Sequence, residues 1–413
     1  MNKVILINVS GGDRPGLTSS LADTLAAYQV RVLDIGQAVV HETLALAILI
    51  ELTAGEEFTP LKKDLLVRAH DLELKIQFTP VSQQAFEHWV RSQGKFRFII
   101  SILGRVITAA QLAKISAAIS THGLNIDRIE RLSGRLSLTG SASNPNACIE
   151  FEISGGTDTS PALRTELMTF TREFEIDIAF QRESIYRRNR RLVAFDMDST
   201  LIQAEIIDEL AKLHGVGDQV SAITAAAMRG ELDFKQSFAK RMSLLRGLPE
   251  QRLPELLHSV PLADGAERLI STLKRLGYKT AILSGGFTFF GQHLQKRLGI
   301  DYVFANRLEI VDGAVTGKVA GEIVDGAKKA QLLAQIAQSE NISLDQVVAV
   351  GDGANDLPML NAAGMGIAFQ AKPLVRESAR HAVSHLGLDG ILYLLGVRDR
   401  DLEHAEFRSI SAG

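Results

Sequence analysis

The chain has 413 residues, which at roughly 100–200 residues per domain predicts two to four domains. Its 45 Lys and Arg against 48 Asp and Glu leave a net charge of −3. Proteins that hold nucleic acid or a membrane surface need a basic excess, so neither partner is expected. An apolar content of 46% with 23% charged residues is ordinary for a globular protein and excludes disordered, collagen-like and coiled-coil classes. The single cysteine, Cys148, cannot form an intrachain disulfide or a thiolate-rich metal site, which points to a reducing cytoplasm. The longest uncharged apolar run, Thr43 to Ile50, is far too short to cross a bilayer, and the N-terminus does not read as a signal peptide.

In chain order, Lys3 to Asn8 predicts a strand, a Gly/Pro turn follows, and Leu17, Leu21 and Leu25 mark a helix before a second strand at Val30 to Val40. Phe98 to Leu132 replays this order at an offset of 93 residues, with Ile7 falling on Ile100, Gly11 on Gly104 and Ala22 on Ile115. Each copy continues with an apolar strand (Leu44 to Leu52; Cys148 to Ile153), a helix (Thr59 to His70; Pro161 to Phe174) and an alternating strand (Leu74 to Phe78; Ile176 to Phe180). Both therefore read βαββαβ, which predicts two related α+β domains, at 1–85 and 93–181. With Asp13-Arg14-Pro15-Gly16-Leu17 at the first strand–helix turn, this order resembles the ACT family, small ferredoxin-like regulatory modules that bind amino acids between paired copies. The resemblance implies an amino-acid effector site using Asp13, Gly16 and Gly104, and pairing of chains into a homodimer. The second copy keeps only Gly104-Arg105 of the turn, so an equivalent second ligand site does not follow.

The segment 182–191 carries Arg182, Arg187, Arg188, Arg190 and Arg191 and reads as a solvated basic linker. From Leu192 onward, short apolar runs alternate with helical patterns, predicting a parallel sheet built from βαβ units over 192–400.

Three strand ends in this segment carry chemistry. Leu192 to Phe195 delivers Asp196-Met197-Asp198-Ser199-Thr200 at a carboxyl end, where open α/β sheets place ligands, and two carboxylates so close call for a shared cation or proton. Lys279 to Leu283 ends in Ser284-Gly285-Gly286, a hydroxyl with glycine amides able to cradle an anion. Val347 to Val350 ends in Gly351-Asp352-Gly353-Ala354-Asn355-Asp356, which adds oxygen ligands suited to Mg²⁺. Lys328 and Lys329 open the preceding helix and can reach the phosphate site. Gly313 to Lys318 is one residue short of a P-loop and reads instead as a hairpin turning at Asp312-Gly313. His381 and His385, four apart, read as part of a surface helix, not a metal site.

These motifs, in this order, resemble the haloacid dehalogenase superfamily, and within it the phosphoserine phosphatase family. Asp-Met-Asp-Ser-Thr followed by Glu205, then Phe234 and Arg241, carry the closer likeness. The fold implied is a Rossmann-like α/β core with a helical cap at about 208–262, preceded by two ACT domains. The activity implied is Mg²⁺-dependent hydrolysis of O-phosphoserine, the last step of serine synthesis, with serine a plausible effector. Asp196 is then the nucleophile and Asp198 the general acid and base. Mg²⁺ is held by the Asp196 and Asp352 side chains and the Asp198 backbone carbonyl, with Asp356 behind them. Ser284, Gly285, Asn355 and a lysine hold phosphate oxygens, and family spacing favours Lys329 over Lys328. Glu205 takes the substrate ammonium, Arg241 its carboxylate, and Phe234 packs on the ligand. Two other readings compete: the same core acting on another phosphate ester or on an alcohol acceptor, and a non-catalytic amino-acid-responsive regulator.

Overall fold

The computed structural model describes residues 3–53, 57–92, 95–135, 139, 146–155, 160–228 and 231–402, without the side chains of Ser160, Met228 and Phe234. The chain divides into two compact units, Met1–Lys95 and Phe96–Gly413.

In the first unit, β1 (Lys3–Gly12), α1 (Leu17–Ala26), β2 (Arg31–Val40), β3 (Thr43–Leu52), α2 (Phe58–Asp71) and β4 (Lys75–Val81) build an antiparallel sheet in the order β2-β3-β1-β4. β1 and β3 alternate buried and accessible residues, so one sheet face meets Leu17, Leu21 and Leu25 of α1 and Leu61 and Leu65 of α2. The turn into α1 needs Gly16 at φ 88°, a left-handed conformation that glycine adopts without steric cost. A helix absent from the sequence reading, α3 (Gln83–Arg91), follows, capped by the Ser82 hydroxyl.

The second unit opens with β5 (Phe96–Gly104), α4 (Ala109–Thr121), β6 (Asn125–Arg131), β7 (Ala147–Gly155), α5 (Ser160–Phe174) and β8 (Asp177–Arg182). Their sheet order, β6-β7-β5-β8, repeats that of the first unit, and both edge strands carry a register shift, after Val32 and after Ile126. β5 departs from its counterpart: every residue from Phe98 to Gly104 is buried. One face meets α4 and α5, and Leu103 on the other joins Cys148 and Ala179 in the core of the following α/β domain.

That domain holds β9 (Leu192–Phe195), then the helices α6 (Ile206–His214), α7 (Gly217–Met228) and α8 (Phe234–Leu244), then α9 (Ala266–Arg275), β10 (Lys279–Phe287) and α10 (Thr288–Leu298). It continues with β11 (Tyr302–Val311), β12 (Ala314–Ala320), α11 (Gly326–Ser339), β13 (Val347–Gly351), α12 (Leu357–Ala362), β14 (Met365–Phe369), α13 (Pro373–Ser378), β15 (His381–Val383) and α14 (Ile391–Leu394). The sheet order is β12-β11-β10-β9-β13-β14-β15, parallel except for the β11–β12 hairpin. Asp312 and Gly313 turn that hairpin with φ of 49° and 74°, so Gly313 to Lys318 is hairpin and strand. The helices α6 to α8 stand between β9 and β10. Lys235 of α8 reaches the helix-capping Asp325 at 2.9 Å.

Two sequence expectations fail here. Arg187, expected in a solvated run, is 3% exposed and its guanidinium pairs with the equally enclosed Glu150 of β7. The pair satisfies both charges, because an isolated charge in that interior is costly. His381 lies in strand β15 and is 7% exposed, and His385 is in the loop beyond it, so neither belongs to a surface helix. The second sheet is also fastened by polar groups. Asp177 accepts from the Ser384 and His385 amides, and Arg268 bridges Asp389 and Asp399, the latter also accepting from Gly134 N.

Candidate active site

All four residues of β9 are buried, as expected for a central parallel strand covered on both faces, and the site begins where it ends. The Asp196 amide donates to Val350 O of β13 at 2.8 Å, which fixes the first carboxylate against the neighbouring strand. Asp196 Oδ1 accepts from Met197 N at 2.7 Å and from Lys329 Nζ at 2.8 Å. Among the described residues no hydrogen bond engages its Oδ2, which is left for an incoming group.

Lys329 is fully buried and also donates to Asp356 Oδ1 at 2.6 Å. It lies on the α11 stripe with Leu332, Leu333 and Ile336, whereas Lys328 turns outward to Glu322 at 2.7 Å. The spacing 329, 332, 333, 336 follows one helical face, so the structure puts Lys329, which family spacing favoured, on the buried stripe. Asp356 Oδ2 in turn accepts from Gly353 N at 2.9 Å, and Thr200 Oγ1 donates to Asp352 Oδ1 at 3.2 Å.

Carboxylate oxygens of Asp196, Asp352 and Asp356 lie within 4.8 Å of one another. One lysine cannot neutralise three carboxylates. Burial, then the charges of Asp196 and Asp356, pushes Asp352 up to about 8. Burial, then Asp196, raises Asp356 to about 6. The donor set is all oxygen, crowded and anionic, which fits a hard divalent cation such as Mg²⁺.

Asp198 is 8% exposed; burial, then the charges of Glu205 and Asp196, holds its carboxyl well above the usual range, which favours its protonated form. Its Oδ1 accepts from Ile206 N at 3.4 Å, at the start of α6. Glu205 accepts from the Ser199 hydroxyl at 3.1 Å, across a tight turn in which Ser199 has φ 54°.

Ser284, fully buried at the end of the regular part of β10, accepts from Gly286 N at 2.9 Å. Asn306, a residue with no motif to announce it, donates from Nδ2 to Gly285 O at 2.7 Å and accepts from Val324 N at 2.9 Å, fixing this turn to the segment before α11. Gly286 is required by close approach: a Cβ there would stand 2.6 Å from Asp198 Oδ2 and 3.2 Å from Ser284 Oγ. Gly286→Ala is therefore expected to displace Asp198 and lower kcat by at least about tenfold, since ångström-scale misplacement of reacting groups costs one to two orders of magnitude. Steady-state kinetics beside a melting curve checks this; the curve should fall modestly, because the same Cβ would also crowd the buried Met197 Cε at 2.6 Å.

On α8, Arg241 has a buried Nε without a partner, and its charge acts on both Glu205 and Asp208. The Phe234 side chain lies outside the described residues. Asn355 stands over Gly353, where a Cβ would meet its Oδ1 at 2.3 Å. The structure thus gathers Asp196, Asp198, Ser284, Lys329, Asp352 and Asp356, with Glu205 at the start of α6 and Arg241 on α8. Asp13 and Gly16 belong to the first unit and Gly104 to the end of β5, beside Ile176, away from these residues in the chain.

Comparison with known proteins agrees with this geometry. The haloacid dehalogenase-like hydrolase family matches residues 190–364, and two ACT-domain families match 3–79 and 97–181. The phosphoserine phosphatase of Streptomyces coelicolor is 46% identical over 404 residues, covering 97% of this chain and 94% of that protein. Phosphoserine phosphatase SerB2 of Mycobacterium tuberculosis is 38% identical over 97% of this chain and 95% of its own length. Among solved structures, a probable phosphoserine phosphatase from Vibrio cholerae aligns with TM-score 0.57 and 35% identity over 74% of this chain and 88% of that one. With carboxylates, lysine and hydroxyl gathered at three parallel strand ends, and full-length likeness of this degree, the chain belongs to the phosphoserine phosphatase family, a haloacid dehalogenase-like hydrolase domain preceded by two ACT domains.

Proposed function

We propose that the chain hydrolyses O-phosphoserine to serine and inorganic phosphate through an aspartyl-phosphate formed on Asp196. The observation that carries this reading is the state of Asp196: one carboxylate oxygen is held by Met197 N and Lys329, and among the described residues no hydrogen bond engages the other. Asp196 Oδ2 attacks phosphorus in line with the seryl oxygen, and Asp198, whose burial favours the protonated form, donates to that leaving oxygen. Asp198 then accepts a proton from the water that cleaves the acyl phosphate, returning both carboxyls to their starting states. Ser284, the Gly285 amide, Asn355 and Lys329 hold the equatorial oxygens.

Mg²⁺ would be held by the Asp196 and Asp352 side chains and the Asp198 backbone carbonyl, with Asp356 orienting the lysine behind them. Bound there, it supplies charge neutralisation that lets a carboxylate approach a phosphate dianion. Chelation with EDTA should abolish phosphate release, and added Mg²⁺ should restore it; turnover that persists after exhaustive chelation would contradict the assignment.

Phosphoserine presents an ammonium and a carboxylate. Glu205 offers the acid, and the orphaned guanidinium donor of Arg241 offers the base. Arg241→Ala should raise KM for phosphoserine by roughly 30–100-fold, the value of a charge-assisted bidentate contact, with a smaller effect on kcat. A phosphate-release panel of phosphoserine, phosphothreonine and a carboxylate-free phosphate ester tests the reading: phosphoserine should lead, and the variant should lose the preference. An enzyme that hydrolyses all three equally would overturn it.

Regulation by an amino acid at the ACT domains, with serine the first candidate, is the proposed control. The exposed apolar residues Val32, Ile35, Val39 and Val40 of the edge strand β2 support pairing of chains. The buried, unpaired Cys148 suits the cytoplasm, and among the described residues no helix is long and apolar enough to cross a membrane.

A further inference from the structure

A cavity of about 480 Å³ lies within the second unit, far along the chain from the catalytic strand ends, between α5 and β8 on one side and α13 and β15 on the other. Its volume is in the range of small-molecule sites. Leu167, Ile178 and Phe180 give it an apolar wall, and Arg164, Arg172, Arg376 and Arg380 line it with His381 and His385.

The charges in this lining do not balance. Glu377 is paired to Arg172, and Asp177 gives both its oxygens to the Ser384 and His385 amides, with Arg376 acting on it only at longer range. Among the described residues Arg164, Arg376 and Arg380 have no ion-pair partner, so three guanidinium groups share the lining with two carboxylates, Glu175 and Asp177, an excess of positive charge. Arg164 is positioned by its Nη2 donating to Ala379 O at 2.8 Å, and burial together with the charge of Arg380 lowers its pKa.

A second observation is independent of the arginines. His381 is 7% exposed, lines the cavity, and its Nδ1 has no hydrogen-bond partner. Burial, then the charges of Arg164, Arg190 and Arg380, pushes it down to about 3, so a neutral imidazole sits beside arginines. Buried polar atoms are ordinarily satisfied, and an orphan in a basic cavity points to a group that arrives from outside.

We propose that this cavity binds a small phosphate-bearing anion, held by the forked donors of Arg164, Arg376 and Arg380, at a site separate from catalysis and seated where the second ACT domain meets the hydrolase sheet. Guanidinium groups match the planar, bidentate donor geometry that phosphate oxygens accept, and three of them around one cavity exceed what a solvated surface requires. The apolar wall favours an organic phosphate over the free ion, and the test distinguishes them.

Crystals of the full chain soaked in low-millimolar tungstate, a heavy phosphate analogue, are expected to show anomalous density beside Arg164 and Arg380 as well as at the catalytic strand ends. The Arg164→Gln/Arg380→Gln chain should lose the first peak and keep the second, which also reports that it folds; Arg376→Gln, whose side chain makes no hydrogen bond among the described residues, is the milder check and should weaken the first peak alone. Displacement of the wild-type peak by inorganic phosphate identifies the free ion, and displacement by phenylphosphonate alone identifies an organic phosphate. Density confined to the catalytic site, a cavity peak unchanged in the double variant, or a peak that neither competitor displaces would overturn the proposal. Because the catalytic peak is read in the same crystal, failure of the cavity site is distinguishable from failure of the hydrolase assignment.

Discussion

Asp196→Asn is expected to abolish phosphoserine hydrolysis, lowering kcat by about 10⁴-fold or more, the scale of loss when a nucleophile is removed from a group that acts as a unit. The amide keeps the shape of the carboxylate and an oxygen to accept from Met197 N and Lys329, so the strand end should stay assembled. What is lost is the unengaged anionic oxygen that attacks phosphorus. Circular dichroism and a melting curve should therefore resemble those of the parent chain while turnover disappears. A variant retaining more than about a tenth of the rate would show that Asp196 is not the nucleophile.

Lys329→Met is expected to damage stability as well as chemistry. The lysine is fully buried and holds Asp196 at 2.8 Å and Asp356 at 2.6 Å; its own pKa is raised by those two carboxylates, which outweigh its burial. Removing it strands two enclosed carboxylates, and breaking a buried pair in this way costs about 3–5 kcal/mol. Asp356→Asn on the same chain should recover part of that loss, since the two residues share one interaction.

The pH dependence has a definite sign. Asp352 at about 8 and Asp356 at about 6 both lie above the 3.8 of a free carboxyl, so the folded chain binds their protons more tightly than the unfolded chain does. Their contribution to stability is complete below that unfolded value and is lost as pH rises through the folded values. The metal-free chain should melt lower as pH climbs from acid to mildly basic, more steeply with Lys329→Met, and Mg²⁺ should flatten the trend in the parent. Melting curves across that range, with and without Mg²⁺, check both points; a pH-independent difference between the two chains would contradict the electrostatic account.

The catalytic part was readable in advance because a parallel sheet enforces it. Buried β-strands such as Leu192–Phe195 announce themselves as continuous apolar runs, and their carboxyl ends are where side chains can gather around a ligand. The repeat was readable for a related reason: β1 and β5, with the helices that follow, keep their order even where residue identity is low. What sequence could not supply were contacts between distant segments. Nothing local marks Asn306 as the brace of Gly285, or Arg187 as the buried partner of Glu150, since each role depends on a residue 21 or 37 positions away.

The helix α3 was missed although Ser82 caps it and Phe86, Trp89 and Val90 recur along it at helical spacing; that stripe buries no residue in the structure, so the helix adds nothing to the core from which the repeat was read. His381 was misplaced because spacing of four suggests a helix, whereas a three-residue strand at a sheet edge offers too short a run to show its period.

The claim at the centre of this account is a covalent phosphoryl group on Asp196. Turnover with phosphoserine and Mg²⁺, quenched in acid within the first catalytic cycles and followed by peptide mass spectrometry after hydroxylamine trapping, tests it directly. The account predicts an acyl adduct on the peptide carrying Asp196, absent from Asp196→Asn and from enzyme without substrate. An adduct on another residue, or none while phosphate release proceeds at full rate, would contradict it.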